Sequence, residues 1–216
     1  AMDMIHNGAD IIDIGGESTR PFSDSVSEEE ELSRVISIIQ KIREKTNIAI
    51  SIDTTKSVVA EKACDVGANI VNDISALSFD DSMINVVSRY DCPIILMHMI
   101  GNPKTMQESP SYKNIISEII NHLLDRASFA LKNGVKKHNI ILDPGIGFGK
   151  TIEDNFTIIN NIDKFTNLGY PVLIGASRKS FIGKTLDVDE NDRVEGTIAS
   201  NIIAFDRGCK MFRVHD

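Results

Sequence analysis

Side chains able to do chemistry stand where short apolar runs of this chain end. Asp13 and Glu17 follow the first run, Asp53 the second, Asn72 and Asp73 the third, and His98 the fourth. Asp143 follows the fifth, Ser177 to Lys179 the sixth, and Arg213 with His215 the last. The stretch from Asp143 to Thr151, DPGIGFGKT, resembles a phosphate cradle at its Gly-Lys-Thr end. A P-loop, however, needs glycine where Pro144 stands, and a dinucleotide fingerprint needs one where Lys150 stands. Three glycines around Phe148 instead suit a flat ligand, and the Gly-Lys-Thr ending reads as incidental. In GGESTRP, two glycines let backbone approach a ligand beside Glu17, Thr19 and Arg20. Lys179, in GASRKSFIG, faces several acids and so is expected to have a task. Arg213 and His215 alternate toward one side and suit an anion. Asp53 is either a helix N-cap or an inward-facing acid, and of Asn72 and Asp73 one caps while the other points inward. His98 reads as a packed or lid residue, and His6, His122 and His138 as surface residues. None of the five histidines shows a metal-binding spacing.

Positioning these groups requires seven strands: ADIIDIG, NIAISIDT, ANIVNDIS, PIILMHM, NIILDPG, PVLIGAS and MFRVHD. Rich in Ile and Val with little alternation, they read as parallel strands covered on both faces. Between them the spacing predicts helices over 27–45, 112–132, 56–66, 80–90, 152–167 and 191–207. The first opens with a capping box, Ser27 and Glu30, and buries Leu32, Val35, Ile36, Ile39 and Ile42. Asn133-Gly134, Leu168-Gly169 and Arg207-Gly208 are expected helix stops. Alternating strands and helices mean an α/β fold, doubly wound or a (β/α)8 TIM barrel. A doubly wound sheet concentrates its site at one crevice, whereas a barrel gathers every strand end at one mouth. Chemistry at nearly every strand end favours the barrel. It is expected to be incomplete, its first strand preceding Ala1 and its last helix following Asp216. Residues 1–216 are thus expected to form a single domain, cut at both ends.

A net charge of −8 argues against general nucleic-acid binding. Three widely spaced cysteines form no zinc or disulfide pattern and suggest buried thiols in a reducing, cytoplasmic setting. No apolar run reaches the roughly 18 residues of a membrane span, and the start shows no secretory signal.

DIGGESTRP, SIDT, NDI, LDPGIGFGK, GASRKSFIG and RVHD, in that order, closely resemble the dihydropteroate synthase family of pterin-binding TIM barrels. The resemblance implies a transferase of folate biosynthesis, a homodimer working with Mg2+. It would join 4-aminobenzoate to 6-hydroxymethyl-7,8-dihydropterin pyrophosphate, giving 7,8-dihydropteroate and pyrophosphate. Sulfonamides compete for the aminobenzoate site in that family. Asp53, Asn72 and Asp143 can receive the N–H donors of a pterin edge, and Lys179 can donate to its carbonyl. Ile74 and Met97 are expected as apolar walls, with Gly175 also at the substrate. The resemblance assigns Arg213 and His215 to the pyrophosphate and makes Lys179, Arg213 and His215 the catalytic set. It gives the aminobenzoate pocket to Thr19, Pro21, Phe148, Lys179 and Ser180, with Arg20 beside it. The family's first strand and loop, with their metal-binding Asn, do not occur in this sequence. No metal ligand is therefore expected within it, and the 216 residues alone are expected to be unstable or inactive. Rival readings are a methyltetrahydrofolate–corrinoid methyltransferase, a non-catalytic pterin-binding fragment and an ATP-dependent enzyme.

Overall fold

The computed structural model describes residues 1–20 and 23–216. Its elements, in order, are α1 (Met2–His6), β1 (Ile11–Gly15), α2 (Glu28–Arg43), β2 (Ala49–Asp53), α3 (Ser57–Asp65) and β3 (Ile70–Asp73). There follow α4 (Met83–Tyr90), β4 (Ile94–Met97), α5 (Ile115–Lys132), β5 (Ile140–Asp143), α6 (Ile152–Asn160) and α7 (Ile162–Thr166). The chain ends with β6 (Leu173–Ile174), α8 (Ser180–Leu186), α9 (Val194–Asp206) and β7 (Met211–Phe212). Strands β1 to β5 form one parallel sheet in sequence order. A parallel bridge from Leu142 to Val172 joins β5 to the β6 segment, and β6 pairs with β7. The order never reverses, so the crevice of a doubly wound sheet is absent among the described strands.

Each strand faces two ways, because successive side chains alternate. One face of the strands, with Ile12, Ile50, Val71, Ile94 and Leu142, packs into the large core shared with Val35, Ile39, Ile119 and Leu123 of the helices. The other face carries a smaller cluster of Ile70, Ile95, Ile141 and Leu173, against which Ile11, Ala49 and Met211 pack. All seven strands thus contribute one residue each to a single apolar group. Strands lie about 4.8 Å apart, so a flat sheet would spread these residues over roughly 30 Å. Curvature brings them together, and it brings the strand ends together too.

Helix boundaries follow local chemistry. Ser27 caps α2 by accepting from the Glu30 N–H at 3.2 Å. The expected capping box does not close, because the Glu30 carboxylate pairs with Arg34 one turn on. Leu32 and Ile36 are only half-buried, whereas Glu31 is fully buried. The expected helix 152–167 is two, α6 and α7, broken at Asn161, whose backbone leaves helical geometry. Helix α8 was not evident from spacing, being short and carrying a glycine. Gly134, Gly169 and Gly208 all take positive φ at the expected stops.

A complete capping box occurs at α6: Thr151 Oγ1 accepts from the Asp154 N–H at 3.1 Å, and the Asp154 carboxylate accepts from the Thr151 N–H at 2.9 Å. Thr151→Ala is expected to lower stability by about 1 kcal/mol in urea unfolding, with no change in unfolding cooperativity.

Candidate active site

The end of β3 separates structural from functional roles. Asp73 turns back and accepts from the N–H groups of Ser75 and Leu77, each at 2.8 Å, and from the Ser75 hydroxyl. Asn72 points the other way and donates to Asp53 Oδ1 at 2.6 Å. Asn72 Oδ1 is buried and has no donor among the described residues. Asp53 therefore faces inward and caps no helix. From the opposite side, Arg213 Nε contacts Asp13 Oδ2 at 2.8 Å, and Arg213 Nη1 lies 3.8 Å from Asp143 Oδ2. One guanidinium so links the first strand, the fifth and the segment beyond the last.

Burial among like charges shapes the acids. Desolvation, then Asp13, pushes Asp53 up to about 7, although Arg213 and Asn72 pull it down. Burial likewise raises Asp143, against Arg213 and the Gly145 N–H. Burial brings Lys179 down to about 8, with Asp143 opposing the change.

The glycine loop after β5 is built around Asp143. Asp143 Oδ1 accepts from the Gly145 N–H at 2.7 Å. Gly145 has φ +70°, and a Cβ there would lie 1.9 Å from the His98 carbonyl oxygen, so only glycine fits. Lys179 crosses the loop, donating to the Ile146 carbonyl, with Nζ 4.5 Å from the Phe148 ring centre. Three further loop carbonyls are held as well: Gly147 by Gln107 at 2.6 Å, Phe148 by Lys150 at 2.8 Å and Gly149 by Tyr112 at 2.8 Å. The Gly-Lys-Thr ending is thus not incidental. Lys150 is a buried staple and Thr151 a helix cap.

Asp53, Asn72, Asp143, Lys179 and Arg213 come together as the sequence suggests. Met97 and Ile74 are buried beside them, and Gly175 would place a Cβ 3.8 Å from Arg213 Cβ. Thr19, Asp53 and Ile74 line a cavity of about 420 Å³ with Lys56 and Phe79. Arg20 is turned to an exposed pair with Glu190 at 3.2 Å. Ser180 is exposed at the start of α8, and no described contact joins it or Thr19 to Phe148. His215 does not share the Arg213 direction: β7 ends at Phe212, and His215 Nδ1 meets Ser177 Oγ at 2.9 Å. Pro21 lies outside the described residues.

Other residues at the site escaped the sequence reading. Lys56 joins Glu17 of the GGESTRP loop to the buried Glu31, at 2.5 Å from the latter. Asn155 Oδ1 accepts from the Gly147 N–H at 2.7 Å. Asp13 was visible as a strand-end acid, but its partner was not. His122 is half-buried with its ring edge on His98, 5.0 Å between centres, so it is no surface residue.

An α/β enzyme whose parallel strand ends gather carboxylates, an amide and cations into one site is the class that this fold and site define. A family model described as pterin binding enzyme matches residues 1–215. The dihydropteroate synthase of Clostridium beijerinckii is 49% identical over 215 residues, covering 99% of this chain and 77% of that protein. That of Bacillus subtilis is 44% identical, covering 100% and 73%. Among solved structures, the Yersinia pestis dihydropteroate synthase with a sulfonamide drug complex superposes with a TM-score of 0.97 at 36% identity, covering 100% of this chain and 78% of that one. The Xanthomonas albilineans dihydropteroate synthase with 4-aminobenzoic acid gives 0.94 at 37%, covering 100% and 77%. The chain belongs to the pterin binding enzyme family, and its activity is that of a dihydropteroate synthase, a transferase of folate biosynthesis.

Proposed function

We propose that the seven strands belong to a (β/α)8 barrel whose mouth joins 4-aminobenzoate to a dihydropterin pyrophosphate through the residues described above. What carries this reading is the acceptor set of half-buried Asp53 and buried Asn72 and Asp143, with Asn72 Oδ1 still lacking a donor among the described residues. An unpaired buried acceptor costs about 1–3 kcal/mol, and an N–H of the pterin edge is the group that removes the cost. Lys179 leaves the Ile146 carbonyl to donate to the ring carbonyl. Arg213 lies over the ring face and, with His215, holds the departing diphosphate.

In the reaction the amine nitrogen attacks the pterin methylene, the carbon–oxygen bond breaks, and the pyrophosphate leaves with the electron pair. The new secondary ammonium then releases its proton. Positive charge placed where the leaving group gains charge supplies the catalysis, so no nucleophile–base pair is needed. Thr19, Phe148, Lys179 and Ser180, with Arg20 and Pro21, receive the aminobenzoate, and sulfonamides would compete there. Mg2+ belongs to the proposed reaction through the family resemblance. No cluster of three or more His, Cys, Asp or Glu among the described residues fits an ion. The working form is a cytoplasmic homodimer, for which Ile198, Ile202, Ile203 and Phe205 on α9 offer an exposed apolar face that a second copy would cover.

Supplying the intact protein with both substrates and Mg2+ and measuring dihydropteroate and pyrophosphate together tests the reading. Pterin binding without either product would make it the non-catalytic module.

The acids add a pH signature. Ring N–H donors favour a carboxylate, and Asp53 keeps its proton up to about 7. Binding must therefore expel a proton below that pH, so affinity for the dihydropterin pyrophosphate falls by about tenfold per unit as pH drops below 7. Above about 8, Lys179 loses its charge and affinity falls again. Calorimetry across pH 5.5–9 should show a maximum between 7 and 8 (a flat profile would remove Asp53 from the ring contact).

A further inference from the structure

The Lys150 ammonium is 4% exposed, yet no carboxylate hydrogen-bonds to it. Its three contacts are the Phe148 carbonyl at 2.8 Å, His98 Nδ1 at 3.1 Å and the His98 carbonyl at 3.3 Å. Burial pushes the lysine down to about 7 and, with Lys150 beside it, His98 to about 2. His98 is therefore neutral and accepts through Nδ1. A buried ammonium is costly unless every proton finds an acceptor, and here each of the three does. The three acceptors belong to two segments only, the end of β4 and the glycine loop. Between them, the Gly145 backbone approaches the His98 carbonyl too closely for any other residue.

We infer that Lys150 is a positioning residue for the amine substrate: it ties the Phe148 backbone to His98 and thereby fixes the Phe148 ring beneath Lys179. The inference rests on the proposed place of Phe148 in the aminobenzoate pocket. Lys150 touches neither substrate. It acts through the one loop residue whose ring faces the Lys179 ammonium, while Asp143 is hydrogen-bonded separately to the Gly145 N–H and feels Lys150 through charge alone. The pterin contacts should thus survive its removal, and the aromatic wall should not.

Lys150→Met keeps the stem and removes the donors. Misplacing a binding wall by a fraction of an ångström is expected to raise the KM for 4-aminobenzoate about tenfold, with kcat and the dihydropterin pyrophosphate Kd within about twofold. Lys150→Gln, whose amide can still donate to the Phe148 carbonyl, should recover most of the loss and raise KM only about threefold. Phe148→Ala serves as the reference. If it leaves the aminobenzoate KM unchanged, the pocket assignment fails and this inference with it. If Phe148→Ala raises KM but a folded Gln or Met variant matches the wild type, the inference alone fails. Equal losses for both substrates with a lowered melting temperature would make Lys150 a general strut and overturn the positioning role. Should the Met variant not fold, the Gln variant decides.

Discussion

Asp143→Ala is expected to weaken dihydropterin pyrophosphate binding by about 3–5 kcal/mol, the loss of two ring N–H bonds to a buried carboxylate at about 1.5–3 kcal/mol each. The carboxylate does two jobs. Oδ1 holds the Gly145 N–H, and Oδ2 faces Arg213 at 3.8 Å and the space where the ring would lie. Alanine removes both, so part of its effect would be a loosened loop. Asp143→Asn separates the two: its carbonyl can keep the Gly145 N–H, while its NH2 opposes the ring donors. Calorimetry should therefore show Asn almost as damaging as Ala for binding, whereas urea unfolding should show Asn nearer the wild type. Unchanged affinity in the Asn variant would remove Asp143 from pterin recognition.

The strand ends were legible because parallel strands announce themselves as continuous Ile and Val runs. Polar residues that such runs do not need mark where the strands end. Asp53, Asn72, Asp143, Lys179 and Arg213 each interrupt an apolar pattern at its carboxyl end, and the structure brings all five to one place. Asp73 could be told from Asn72 only as a pair, since alternation fixes that the two point apart but not which one faces inward. Contacts made by loops were not legible. Gln107 lies in a segment without periodicity and Tyr112 at the expected start of a helix that begins only at Ile115, yet they hold the Gly147 and Gly149 carbonyls. Lys150 read as part of an incidental ending and Glu31 was not singled out, because nothing in a pattern of residue types reveals that a lysine has three acceptors waiting. The expected helix at 152–167 runs six residues past a break at Asn161 that only packing shows. Phase errors of that kind accumulate where a helix is short and its neighbours decide its end.

Arg213 is the counter-charge for the whole acid cluster, and its removal should expose what the cluster costs. Arg213→Met retains stem volume but leaves Asp13, Asp53 and Asp143 facing one another with no guanidinium between them. In the wild type Asp53 already holds its proton to about 7, and burial raises Asp143 as well. An unfolded chain releases those protons near pH 4. Between about pH 4 and 7 the folded state thus binds more protons than the unfolded one, and stability falls as pH rises. Without Arg213 both acids move further up, the slope steepens, and the fall continues above pH 7. The Met variant is therefore expected to lose about 3–4 kcal/mol relative to wild type at pH 8 but less than about 1 kcal/mol at pH 5, where protons replace the missing cation. Urea unfolding at the two pH values reads this directly. Turnover should fall at both, because the cation proposed to hold the diphosphate is gone whatever the stability. An equal loss of stability at pH 5 and pH 8 would mean that Arg213 contributes packing rather than charge, and the electrostatic account of the site would fall with it.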